Sequence, residues 1–211
     1  MLHNNLNLNP HITAWDKDYH SRGRLWGGGV KGMPDLPIGS RVLELGCGSG
    51  KTLSAMQERP WEVVALDFSP EALRLSRSDN LYIEFVLADV SCLPFHDRSF
   101  DAIFAFHITG HLPHDRRELL AAEVARVMRG DGRFFFREFE LNDMRKGQGV
   151  EVERFTFRRG KGVITHYFTE EETIHLFSEL MPITIKLHKW KMRVAGRDFF
   201  RAEIDAVFSK R

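Results

Sequence analysis

The chain has 211 residues, 43% of them hydrophobic and 28% charged, with a formal net charge of +1, the make-up of one ordinary globular domain. That balance gives no global pull toward nucleic acid or an acidic membrane surface. Two cysteines, Cys47 and Cys92, with no CxxC pair, exclude a disulfide framework or a four-thiolate zinc site and fit a reducing cytoplasm; no run of about 18 apolar residues is present to span a membrane.

Residues 1–13 are polar and rich in Asn, without the apolar core of a signal peptide. The next stretch, AWDKDYHSRGRLW at 14–26, carries Trp15, Tyr19 and Trp26, and the four-residue spacing lets Trp15 and Tyr19 share a helix face. A Gly/Pro-rich connector follows, so residues 1–39 read as an arm or lid and 40–211 as the main domain. From residue 41 strands and helices alternate. RVLELG predicts a strand, then a glycine turn and the helix KTLSAMQER. WEVVALD predicts a second strand, and Ser69-Pro70 opens a helix with Ser as N-cap and Pro in its first position. YIEFVLAD is a third strand. SFDAIFAFH, apolar almost throughout, is a fourth, as a strand covered on both faces should be. Asp115 and Glu118 have capping-box spacing ahead of the helix RRELLAAEVARVM, which ends at Gly130, and GRFFFREFE is a fifth strand.

Residues 141–168 turn polar, basic and glycine-rich, which predicts an insertion or hairpin. Thr169 and Glu172 form a second capping box, for the helix EEETIHLFSEL. ITIKLHKWKM and DFFRAEIDAVFSK close the chain as an antiparallel pair turned by Ala195-Gly196-Arg197. The order predicts a doubly wound α/β sheet, parallel except for one strand.

The stretch LELGCGSGKT, residues 43–52, admits two readings. A triphosphate loop needs G-x-x-x-x-G-K-[ST]; Gly50 and Lys51 set that frame, and its first glycine then falls on Leu45. The dinucleotide pattern G-x-G-x-x-G also fails, because its third glycine falls on Lys51. What remains is Glu44, Gly46, Gly48 and Gly50, a strand end whose glycines let the backbone approach a flat, weakly charged ligand. Asp67 ends the second strand, 21 residues after Gly46, where it can accept from both hydroxyls of a ribose. Asp89 and Val90, at the end of the third strand, offer an acceptor and a backbone N–H suited to an adenine edge.

On these residues the chain resembles the class I S-adenosylmethionine-dependent methyltransferases. VLELGCGSG, VVALDFS, VLADVSCLPF and FDAIFAFHITGHL are similar to the first four motifs of that family, in order, and LLAAEVARVMRGDGRFFF to the helix and strand that follow. The resemblance implies a Rossmann-like three-layer sandwich whose seven-stranded sheet has its last strand antiparallel. It also implies that Gly46, Gly48 and Gly50 pass under the methionine of the cofactor and that Glu44 contacts its amino group. Asp67 would hold the ribose, with Phe68 against the adenine, and Asp89 and Val90 would read the adenine edge. Phe106 or His107 would face the sulfonium, with S-adenosylhomocysteine as product.

His107 or His111 could serve as general base. His107, His111 and His114 would align as metal ligands on a helix, but no acidic partner sits at matched spacing, so no metal site is assigned. Trp15, Tyr19 and Trp26 could form an aromatic lid favouring a sulfonium cation, or simply pack an amphipathic helix. Segment 151–168 interleaves Arg154, Arg158, Arg159, Lys161 and His166 with Phe155, Phe157, Tyr167 and Phe168. That mixture suits single-stranded nucleic acid, and EVERFTFRR equally suits one strand of a hairpin. WDKDY, FFFREFEL and GVITHYFTEEE are also similar to pieces of tRNA 3-methylcytidine methyltransferases. The reading is therefore a cytoplasmic methyltransferase with a small-molecule acceptor first, a tRNA base second and a non-catalytic cofactor-binding protein third. No membrane partner is expected, and the acceptor and oligomeric state stay open.

Overall fold

The computed structural model describes residues 10–23, 32–79, 82–160 and 162–210. Its chain order is α1 (Pro10–Arg22), β1 (Arg41–Leu45), α2 (Leu53–Met56), β2 (Glu62–Asp67), α3 (Pro70–Arg77), β3 (Glu84–Leu87), β4 (Phe100–Phe106), α4 (His114–Val127) and β5 (Met128–Phe139). There follow β6 (Val150–Glu153), β7 (Thr156–Arg159), β8 (Val163–His166), α5 (Glu170–Leu176), β9 (Leu180–Val194) and β10 (Arg197–Lys210). Seven strands make one sheet in the order β3-β2-β1-β4-β5-β10-β9. β1 to β5 pair in parallel, and β10 is antiparallel to both β5 and β9. β10 is thus the single reversed strand that the terminal hairpin demands. The hairpin turns on Ala195 and Gly196, both at positive φ (48° and 79°), the backbone of the tight turn whose twist matches that of the strands it joins.

Side chains alternate across this sheet and build two cores. On one face Leu43, Leu45, Ile103 and Ala105 meet Leu120 and Val124 of α4 and Phe177 after α5. On the other, Val42, Ala102 and Phe104 meet Leu53 and Met56 of α2 and Leu73 of α3. The result is the expected three layers. Two caps stand as read: Ser69 Oγ accepts from the Ala72 N–H (3.1 Å) and Thr169 Oγ1 from the Glu172 N–H (3.1 Å).

Several boundaries differ from the sequence reading. α1 starts at Pro10 and stops at Arg22, because Gly23 at φ 65° turns its N–H onto the Tyr19 carbonyl (2.8 Å), a left-handed helix stop. Trp26 lies outside the described residues. The helix after the glycine loop is one turn only. α4 begins at His114 with Pro113 as N-cap and no side-chain cap, so Asp115 sits inside the first turn and does not cap it. Its last residue is Val127, and β5 starts at once with Met128. EVERFTFRR is two strands: Phe155 takes φ 61° and breaks β6 from β7. β6, β7 and β8 form a small antiparallel sheet between β5 and α5 in the chain.

Candidate active site

One cavity of about 1000 Å³ lies at the carboxyl ends of β1, β2, β4 and β5, where open α/β sheets bind ligands. Its walls include Glu44, Gly46, Gly48, Asp67 and Phe68 on one side. Phe106, His107, His111, Arg137 and Phe139 line the other, with Arg145, Arg159, Arg201, Glu203 and Trp190. Trp15 and Tyr19 of α1 join the wall.

The glycine loop is built for close approach. Gly46 and Gly48 take φ of 67° and 54°, which side-chain-bearing residues rarely adopt. A Cβ on Gly46 would meet Ile108 at 2.7 Å, and one on Gly48 would meet the Tyr19 hydroxyl at 2.6 Å. The Asp67 carboxylate folds under the loop, accepting from the Gly48 N–H (2.8 Å) and the Ser69 N–H (2.9 Å). Burial pushes its pKa up to about 6. Glu44 is 3% exposed, its Oε2 has no hydrogen-bond partner, and burial pushes its pKa up to about 8. An orphaned, buried carboxylate oxygen beside a glycine cradle fits a ligand that brings its own ammonium group.

α1 lies over this loop. Asp16 Oδ1 accepts from the Ser69 hydroxyl (2.6 Å) and from the Glu71 N–H (3.3 Å), tying α1 to the start of α3. The Trp15 ring packs against Tyr19 at 5.8 Å and edge-on to His111 at 4.7 Å.

His107 follows β4 at φ 56°, a strained backbone for a non-glycine residue and of the kind that collects at functional sites. Its Nε2 is 3.4 Å from Glu203 Oε1, its Nδ1 is 3.9 Å from Glu138 Oε2, and its ring packs on Phe139 at 4.6 Å. Burial, then the Arg137 cation, push its pKa down to about 3. Burial also pushes Glu138 up to about 8. His111 sits in the turn Thr109–His111; its Nδ1 is 2.7 Å from the Ile164 carbonyl, and burial lowers its pKa to about 4. Both imidazoles are therefore neutral at pH 7. The carbonyl of Ile164 selects the tautomer of His111 with Nδ1 protonated, which leaves Nε2 as the acceptor.

Not every residue read from the sequence reaches this cavity. Gly50, Asp89 and Val90 are not on its wall. Asp89 Oδ1 is engaged by the Ser91 N–H (2.9 Å) and hydroxyl (2.6 Å), and the Val90 side chain is buried in the core. Three of the four rings of the basic–aromatic segment are interior, Phe157, Tyr167 and Phe168 at 7%, 0% and 0% exposure, and Phe155 is half-buried with the Arg154 guanidinium 4.7 Å over its ring.

The wall also holds residues that the sequence reading passed over: Arg137, Phe139, Arg145, Trp190, Arg201 and Glu203. One signal was present: Arg137 and Glu138 interrupt the apolar run FFFREF, where a buried strand should stay apolar.

Comparisons with known proteins agree with this geometry. A family model described as a methyltransferase domain matches residues 42–132. The 27-O-demethylrifamycin SV methyltransferase of Amycolatopsis mediterranei is 31% identical over 155 residues, covering 70% of this chain and 56% of that protein. The chain spans about half the length of that relative. A SAM-dependent methyltransferase from Methanosarcina mazei superposes with a TM-score of 0.71 at 23% identity, over 83% of this chain and 94% of that one. The Burkholderia thailandensis 1,6-didemethyltoxoflavin-N1-methyltransferase, solved with 1,6-didemethyltoxoflavin and S-adenosylhomocysteine, superposes with a TM-score of 0.59 at 20% identity, over 95% and 79%.

Proposed function

We propose that this chain is a class I S-adenosylmethionine-dependent methyltransferase, as its match to a methyltransferase domain over residues 42–132 and its fold support, and that it transfers a methyl group to a small-molecule acceptor. The observation that carries the donor side is the orphaned Glu44 carboxylate beside the Gly46–Gly48 cradle and the Asp67 carboxylate beneath it. Glu44 would take the cofactor's amino group, Gly46 and Gly48 its methionine, Asp67 its ribose and Phe68 its adenine. S-adenosylmethionine supplies the methyl group on a sulfonium.

The protein's own part is alignment, exclusion of water and, for some acceptors, removal of a proton. α1 (Pro10–Arg22) serves as a lid on the domain that follows it, with Trp15 and Tyr19 as its contact face. Neutral His107, with Glu203 3.4 Å away, and neutral His111 are the groups able to accept a proton. The cavity of about 1000 Å³ is at the upper end for one ligand, which suits a cofactor together with a small acceptor. A small acceptor also accords with the rifamycin- and toxoflavin-methylating relatives, and the interior rings of 151–168 count against a tRNA base. Among the described residues no helix is long and apolar enough to cross a membrane, and two free cysteines suit the cytoplasm.

Calorimetry with S-adenosylhomocysteine, run beside ATP and NAD, tests this. Wild type binds S-adenosylhomocysteine alone, and Asp67→Ala weakens it at least about tenfold, as loss of a charged hydrogen-bonding group does. Binding of ATP with none of the methyltransferase product overturns the reading.

A further inference from the structure

We propose that the acceptor half of the cavity is an anion subsite, and that the methyl acceptor is a small acid whose carboxylate or phosphate is held by Arg159 with Arg145 and Arg201. The proposal rests on the methyltransferase reading and extends it to the substrate class.

Charge is segregated along the wall. The donor half carries Asp18, Glu44 and Asp67 with one cation, Lys51, and the acceptor half carries Arg137, Arg145, Arg159 and Arg201 against one carboxylate, Glu203. Arg137 makes a forked pair with Asp205 (2.5 and 2.9 Å), and Arg201 Nε donates to Asp143 (2.6 Å). Among the described residues Arg159 has no carboxylate partner: its guanidinium donates to the neutral oxygens of Gln148 (3.5 Å) and Thr165 (3.3 Å). Guanidiniums stand together on an aromatic floor, Arg145 at 5.2 Å and Arg201 at 4.8 Å from the Phe139 ring, and Arg201 also at 5.6 Å from Trp190. Arg145 feels both Arg201 and Arg159 as like charges, and burial with that repulsion lowers its pKa.

Cations gathered in a half-closed wall repel one another, and an anion relieves the repulsion. The planar fork of guanidinium matches a carboxylate or phosphate with two parallel bonds. Tyr167, wholly buried beside the same arginines, has a hydroxyl with no hydrogen-bond partner. The arginines line a cavity whose wall also takes residues of α1, β7 and β8, and its volume of about 1000 Å³ suits a small acid beside the cofactor.

Protein saturated with S-adenosylhomocysteine is titrated with benzoate, phenyl phosphate and benzamide. At least one anion binds about tenfold or more tighter than benzamide, the neutral match, as charge-assisted bonds imply. Which anion does so separates carboxylate from phosphate. Arg159→Gln removes that preference, Arg159→Lys restores part of it, and S-adenosylhomocysteine affinity stays at the wild-type value in both. Benzamide binding as well as the anions overturns the proposal, as does an anion preference that survives Arg159→Gln. Methylation of bulk tRNA that is lost in Arg159→Gln assigns the arginines to RNA phosphate and overturns it too. Failure of wild type to bind S-adenosylhomocysteine is a distinct result, which removes the methyltransferase reading and this proposal with it.

Discussion

Glu44 is a carboxylate with no partner for one of its oxygens and almost no contact with water. Burial pushes its pKa from an ordinary 4.5 to about 8, so at neutral pH it is mostly protonated in the free protein. A ligand ammonium at that oxygen favours the ionised form, and binding must then expel the proton. Calorimetry of S-adenosylhomocysteine binding at pH 7, in buffers of different ionisation enthalpy, should give about one proton released, with affinity rising up to about pH 8. Glu44→Gln should release none. The linkage to stability has the opposite direction. A folded-state pKa above the unfolded one contributes stability that is full below pH 4.5 and is lost as pH rises through about 8. The free protein therefore weakens across that window, and Glu44→Gln flattens the decline. Glu44, Gly46, Gly48 and Asp67 were legible in the sequence because they occupy alternate or strand-end positions that a spacing rule can read. Arg145, Arg201 and Glu203 were not, and Arg159 was read only as one of a basic run: they come from separate segments, and a single charge on a strand looks like an ordinary solvated face until the fold turns it inward.

At the level of elements, the tether between α1 and α3 gives α1 its hold on the site. The Ser69 hydroxyl accepts from the Ala72 N–H as helix cap and donates to Asp16 on α1 (2.6 Å), so one side chain serves both elements. Asp16→Ala removes the tether and leaves the cap. Neither core includes Asp16, so the melting temperature should hardly change. Stopped-flow dissociation of S-adenosylhomocysteine should be about tenfold faster, as loss of a charge-assisted bond predicts; an unchanged rate would mean that α1 does not close on the ligand. The caps of α3 and α5 could be read directly because Ser69 and Thr169 carry the side chains that the orphan N–H groups need. α4 was misplaced at its start because its first turn is satisfied without a capping side chain at its N-cap: the Pro113 carbonyl accepts from the N–H groups of Arg116 and Arg117 (3.0 Å each), and the distant Glu153 carboxylate accepts from the His114 N–H (3.2 Å). The β6–β7 break was hidden for a related reason. It depends on Phe155 at φ 61°, a backbone state that phenylalanine does not advertise.

Across the whole molecule, stability and chemistry occupy different layers. The alternation of apolar strands with helices, closed by a hairpin, was enough to expect a parallel sheet with one reversed strand; the order that sets β10 between β5 and β9 came only with the structure. β10 therefore has two duties. Ile204, Ala206 and Phe208 point into the core, whereas Arg201 and Glu203 reach the cavity wall. Phe208 is fully buried, with its ring 6.0 Å from Phe134 and 5.3 Å from Phe177, and it does not line the cavity. Phe208→Ala should cost about 3–5 kcal/mol, a large part of the roughly 5–15 kcal/mol that holds a domain together. Urea unfolding would show it as a lower midpoint at an unchanged slope. At a temperature where the variant remains folded, its affinity for S-adenosylhomocysteine should match wild type. A matching loss of affinity would mean that the aromatic core under β10 also sets the position of the cavity wall, and that the two layers are coupled through the strand they share.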